Sequence, residues 1–344
     1  MSKAKLEVTV HPQIELLMTV LLTSNYATIC ESFLGYSIMT EEQTDYVKSI
    51  MNHFGHYSDH PIYELLDEMI PKGFALGAPV DAVLSLGTPP WLEKQRSFSS
   101  FAIQRACGEE KLDEFVSLLR DFADVSGYME FLEENQDHYA DALQLFRSGV
   151  NRKPYVQILE DFYGLEQEWY YIHLTQLSKG SFGFSSDFGS GKLRLYNVCG
   201  FNYGLLEDAE AFDRFLNNIL WHEFSHPIIN PLTQLHAGSI KNPDQNFSVL
   251  QAYKHPHAGY GPWDECINEH IIRAVSIYLC RQHVSEALAN ERLDYEVKLG
   301  YLFIPHVLNA LATYDQNRDL YPSIDDFYET LLQVFVPSNL PSTK

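Results

Sequence analysis

Basic residues are scarce in this chain. Its 344 residues carry 24 Lys and Arg against 46 Asp and Glu, a formal net charge of −22. So acidic a surface repels phosphate backbones, which argues against nucleic acid as a partner. Cysteine is sparse and ill-spaced. Cys30, Cys107, Cys199, Cys266 and Cys280 are odd in number, far apart and never in a C-x-x-C pair. A disulfide framework or a Cys-ligated structural zinc is therefore not expected, and reduced, buried thiols are. Long apolar runs are missing too. Leu16–Leu22 is too short to span a bilayer, follows Glu7 and Glu15, and reads as an amphipathic helix. No membrane association is expected. No signal peptide is legible, so the expectation is a cytoplasmic chain; an exported chain without its leader would read the same. Nor is there a phosphate-binding loop, because Gly180–Gly191 lacks both a Lys-Ser/Thr ending and a following helix.

What the chain does contain is His222-Glu223-Phe224-Ser225-His226, the H-E-x-x-H pattern. It ends a segment, Asp208–His226, in which Phe212, Phe215, Leu216, Ile219 and Leu220 recur at helical spacing. Residues four apart share a helix face, so His222 and His226 can ligate one metal ion from the same side. Both lie on the continuation of the apolar stripe and should point inward. Glu223, beside them, is placed to take a proton from a metal-activated water. A coincidental match is the competing reading, and the inward face counts against it. Pro227 biases His226 away from helical angles, so the helix is expected to end or kink there.

A catalytic zinc needs a third protein ligand. The segment Trp263–Ala274 reads as a helix opened by Pro262, Asp264 and Glu265. Within it, Glu269 and Arg273 form an i, i+4 pair. An inward Glu269 could bind zinc with Arg273 orienting it. The alternatives are a surface ion pair of a few tenths of a kcal/mol, or Glu265 as ligand from one turn earlier.

Asn268-Glu269 after H-E-x-x-H resembles the Asn-Glu of gluzincin metallopeptidases, in which the Glu is the third ligand. The separation from His226 is wider than in thermolysin-like members, and Ile272-Arg273 stands where those have Ser-Asp. Zinc aminopeptidases carry a Gly-x-Met-Glu-Asn amine site that this chain lacks. More of the chain is similar to a bacterial family of uncharacterised proteins, the domain-of-unknown-function family 4932. The motif with Asn230-Pro231-Leu232, Asn268-Glu269 with Arg273-Ala274, Ile14-Glu-Leu-Leu, His60-Pro61, Asp81-Ala-Val and Phe115 to Tyr139 carry that resemblance, across residues 10 to 335. It implies a zinc peptidase, in a family whose members are often exported.

The expected fold is α+β and predominantly helical: a zincin-like core with a small sheet, beside an N-terminal helical scaffold. Residues 1–150 read as that scaffold, with helices over 14–31, 41–54, 62–69, 80–86, 112–122, 127–134 and 139–147. Residues 151–336 read as the metallohydrolase region, continuous with the scaffold or separate from it, and 337–344 as a frayed tail. Trp169–Leu174 and Lys192–Val198 suit strands, joined as a hairpin by the Gly/Ser-rich stretch between them. By resemblance to gluzincins, one of these strands could pair with extended substrate. Residues 231–262, rich in Pro and Gly, read as a long loop bordering the cleft.

Tyr260, with His257 behind it, is the candidate to stabilise the oxyanion of a tetrahedral intermediate. His53, His56 and His60 are spaced for a second metal, but Gly55 and Pro61 disturb the helix and no carboxylate or thiol joins them. Taken together, the residues predict a zinc metallopeptidase acting on peptide or protein, with one Zn2+ held by His222, His226 and Glu269 and Glu223 as general base. The alternatives are a binding module that has lost turnover and a zinc hydrolase of non-peptide amides or esters.

Overall fold

Apolar residues at helical spacing fill most of this chain, and helices form most of it. The computed structural model describes residues 5–187, 189, 191–240, 243–255 and 262–340. Strand β1 (Leu6–Thr9) is followed by α1 (Pro12–Thr23), α2 (Tyr26–Leu34), α3 (Asp45–Phe54), α4 (Pro61–Met69), α5 (Gly77–Val83), α6 (Ser100–Arg105), α7 (Glu109–Val125), α8 (Tyr128–Glu134), α9 (Ala140–Val150) and α10 (Tyr155–Tyr163). Strands β2 (Trp169–Thr175), β3 (Phe182–Asp187) and β4 (Leu193–Gly200) come next. Then follow α11 (Ala209–Glu223), α12 (His226–Leu235), α13 (Pro243–Tyr253), α14 (Trp263–His283), α15 (Glu286–Leu299), α16 (Ile304–Gln316) and α17 (Ile324–Leu332). The predominantly helical α+β class is as expected. No helix among the described residues is long and apolar enough to cross a membrane.

The sheet has the order β1-β2-β4-β3. Strand β1 runs parallel to β2, with Leu6 opposite Tyr170, and so ties the N-terminal stretch to the sheet of the C-terminal half. The expected hairpin is corrected here. The two strands it would have joined, β2 and β4, run parallel, with Trp169 opposite Arg194. The true hairpin is β3–β4, antiparallel, with Phe182 opposite Val198. What reads as a Gly/Ser linker is thus itself the edge strand.

Helix α14 runs through the centre. Cys266, Ile267, Ile271, Ile272, Ala274, Val275 and Cys280 are all fully buried, on every side of the helix. A helix packed all round shows no single apolar stripe. Its neighbours include α11, α12, α13, α15 and α16. The described part of 231–262 is not one long loop. Helix α12 continues to Leu235, a 3-10 turn covers Ala237–Ser239, and α13 follows. Proline in a first helical turn loses no bond, because that N–H has no partner there in any case. Pro243 opens a helix rather than breaking one. The stretch 14–31 is also two helices, parted at Ser24 and Asn25. At the other end, Pro337–Asn339 form a 3-10 turn and Leu340 is buried, so the chain is packed to that point.

Candidate metal centre

The H-E-x-x-H motif straddles a helix junction. Asp208 caps α11, accepting from the amides of Glu210 and Ala211 at 3.0 Å each. Phe212, Leu216 and Leu220 anchor the helix in the core. It ends at Glu223, and α12 begins at His226. Two local causes act at the break. The Ser225 hydroxyl donates to the Trp221 carbonyl one turn back, a bond that bends helices. Pro227 has no N–H, so it cannot donate to the Glu223 carbonyl as a helical residue would. Gly183 of β3 packs on that carbonyl instead. A Cβ at Gly183 would lie 1.8 Å from the Glu223 oxygen, so only glycine fits.

The bend keeps the two imidazoles together. Nε2 of His222 and Nε2 of His226 are 3.3 Å apart. Glu269, from α14, places Oε2 3.8 Å from His222 Nε2 and Oε1 3.5 Å from His226 Nε2. Among the described residues this is the one group of three His, Cys, Asp or Glu that could hold a metal ion, its ligand atoms all within 4.8 Å of one another. Tetrahedral zinc with bonds of about 2.0–2.1 Å sets neighbouring ligand atoms about 3.3–3.4 Å apart. The nearest-atom separations approach that spacing, the carboxylate turning Oε2 toward His222 and Oε1 toward His226.

The electrostatics suit ligation. Burial pushes His222 down to about 3 and lowers His226, so both imidazoles are neutral near pH 7 with a lone pair to give. Burial alone would raise the Glu269 carboxyl. Arg273 and the two histidines outweigh it and hold Glu269 at about 2. Glu223, 5% exposed, goes the other way: burial and then the charge of Glu269 push it up to about 8. Two carboxyls in one site therefore differ widely in proton affinity, with Glu269 ionised near pH 7 and Glu223 largely protonated.

A second layer fixes Glu269. Arg273 Nε donates to its Oε2 at 2.9 Å. The same guanidinium spans both oxygens of Glu296 on α15, at 2.8 and 2.9 Å, and lies 4.4 Å over the Tyr301 ring. Glu296 and Tyr301 were not found from sequence; they lie over twenty residues from Arg273 and belong to no motif. Asn268 accepts from the Thr233 hydroxyl, which also bonds the Tyr328 hydroxyl at 2.6 Å, linking α14 to α12 and α17. Glu265, the runner-up ligand, is turned away and ion-paired to Arg105 at 2.9 Å. Tyr36, after α2, is another residue the sequence did not single out. Burial, then the charges of Glu269 and Glu265, raise its phenol.

Tyr260 and His257 lie outside the described residues. The three histidines 53, 56 and 60 do not converge. His53 bonds the Ser126 carbonyl at 2.8 Å, while His60 caps α4 and meets Asp121 at 3.1 Å. All five cysteines are free, and only Cys107 is exposed. No curated protein and no solved structure matches the chain. Its family is nonetheless defined: residues 6–334 match the model described as a domain of unknown function, DUF4932, and the chain belongs to that family.

Proposed function

We propose that this chain is a zinc-dependent peptidase whose ion is held by His222, His226 and Glu269. The observation that carries the reading is the convergence of His222, His226 and Glu269, whose nearest side-chain atoms lie 3.3 to 3.8 Å apart, with one ligand atom from each within 4.8 Å of the others and Glu223 buried beside them. Zinc at such a site supplies Lewis acidity toward water and the scissile carbonyl. Glu223 takes the proton of the attacking water and delivers it to the leaving amine. A bound cation would favour the ionised form of Glu223, the form a base needs. Arg273 keeps Glu269 ionised and fixed in orientation, and Glu296 and Tyr301 hold Arg273 in turn. A peptide is the favoured substrate because β3 is the sheet's edge strand and touches the motif at Gly183. An extended substrate backbone added along that edge would lie beside Glu223.

The test is elemental analysis of purified wild type, His222→Ala and Glu269→Ala, followed by a peptide-library assay with Glu223→Gln as control. Stoichiometric zinc in wild type, its loss in both ligand variants, and cleavage abolished in Glu223→Gln are expected. A wild-type chain that retains no zinc after zinc is supplied and the excess removed refutes the proposal.

A further inference from the structure

The face of the sheet turned away from the metal centre carries a second polar site. Side chains alternate along a strand. The Tyr170 ring meets Phe224 of the motif at 5.0 Å, so His173, three residues on, faces the other way. Tyr196 of β4 pairs with Tyr171 and stacks on it at 5.3 Å, sharing the face of His173. His11, just before α1, sets its ring edge-on to His173 at 4.6 Å. With Gln13 of α1, and Thr88 and Gln95 from the loop after α5, these residues line a cavity of about 410 Å3.

The walls hold hydrogen-bonding capacity that the protein leaves unused. His173 is 2% exposed, yet neither ring nitrogen has a partner. Gln13 is 4% exposed, and its Nε2 donates to the Leu86 carbonyl at 2.9 Å. Its Oε1 leans toward His11 without making a well-formed bond. Buried polar groups are seldom left so, and at a cavity wall a small move of the side chain would bring them to an occupant. Among the described residues no Lys, Arg, Asp or Glu lines the cavity. Burial lowers both His11 and His173, which are neutral near pH 7. Glu7 acts on His11 through its charge without lining the cavity, so a charged ligand would meet no counter-charge on the walls themselves. A neutral imidazole offers one donor and one acceptor, so the ligand must bring both, as a hydroxyl does. The volume equals on the order of a dozen waters and lies in the range of small-molecule sites, roughly 300–1,000 Å3.

We propose that this cavity binds a small uncharged polyhydroxylated compound, of the sugar or cyclitol type, by hydrogen bonds to His173 and Gln13 beside the Tyr196 ring. The site is separated by the sheet from His222, His226 and Glu269, and the proposal stands whether or not those residues hold zinc.

The experiment is NMR of the full chain labelled with 15N-histidine, titrated with glucose, galactose, N-acetylglucosamine and myo-inositol. Saturable shifts of the His173 ring signals with at least one probe are expected, with His222 and His226 unmoved. His173→Phe and Gln13→Leu should weaken binding at least tenfold, and Glu223→Gln should leave it unchanged. If either buried variant fails to fold, Thr88→Ala and Gln95→Ala at the exposed rim serve in its place, read by saturation transfer to the probe. The proposal fails if no probe shifts His173, if the variants bind equally well, or if crystals grown with the probes show only ordered water on the His173 nitrogens.

Discussion

Replacing Glu15 with Gln should make the protein more stable at neutral pH. Glu15 is fully buried on α1. Its Oε1 accepts from the Tyr46 hydroxyl at 3.0 Å and the Tyr139 hydroxyl at 2.6 Å, while Oε2 has no partner. Burial outweighs the donors from Tyr139, Tyr46 and Thr175 and pushes the carboxyl from 4.5 up to about 7. At about 1.4 kcal/mol per pH unit, that gap is worth roughly 3 kcal/mol. The folded chain holds this proton more tightly than the unfolded chain does. Its contribution is therefore complete below pH 4.5 and is lost as the pH rises through about 7. Glu15→Gln keeps the shape and the tyrosine donors but cannot ionise. Urea titrations of both proteins across this range, at equal m-values, should show similar stability near pH 4 and a gap growing to about 3 kcal/mol in favour of Gln by pH 8. The difference between the two proteins cancels the repulsion of the other acidic groups. A gap that does not change with pH, or a variant weaker than wild type at pH 8, refutes the reasoning.

Gly183→Ala puts a Cβ 1.8 Å from the Glu223 oxygen and 2.7 Å from its carbonyl carbon. The clash is with backbone that cannot swing aside, so a loss of about 3 kcal/mol or more is expected in denaturant titrations, with zinc content falling in parallel. Arg273→Ala should weaken zinc binding about 10–100-fold in chelator competition, with the far-UV circular dichroism spectrum unchanged. Glu265→Ala removes only a half-exposed ion pair with Arg105. It should cost less than about 1 kcal/mol and leave zinc content unaltered, whereas Glu269→Ala should abolish it.

The residues that converge at the candidate site were legible where chemistry dictates spacing. His222, Glu223 and His226 announce themselves four apart on an apolar face, and Glu269 with Arg273 one helix later. The structure brings the two histidines and Glu269 together and sets Glu265 aside on Arg105, a choice that helical spacing left open. Helices with clear periodicity, such as α4 and α7, were also readable. What was hidden depends on distant contact. Strand β3 looks like linker because its glycine is required by the Glu223 carbonyl, not by a turn. Strand β1 has four residues, too few to show alternation, and its partner lies some 160 positions away. The parallel pairing of β2 and β4 was missed because local sequence records an alternating pattern but not strand direction. Glu296 and Tyr301 reach Arg273 only through the packing of α15 against α14.

That short first strand has a further consequence. By pairing with β2, β1 turns what would be a bare edge into an interior position, and Tyr170, Ile172 and Leu174 lie along it, all fully buried. Exposed strand edges recruit other chains. A chain trimmed of residues 6–9 would leave the β2 edge without its partner strand. Residues 6–9 thus exchange an edge lined by buried apolar side chains for a four-residue one, and short edges offer other chains less to pair with.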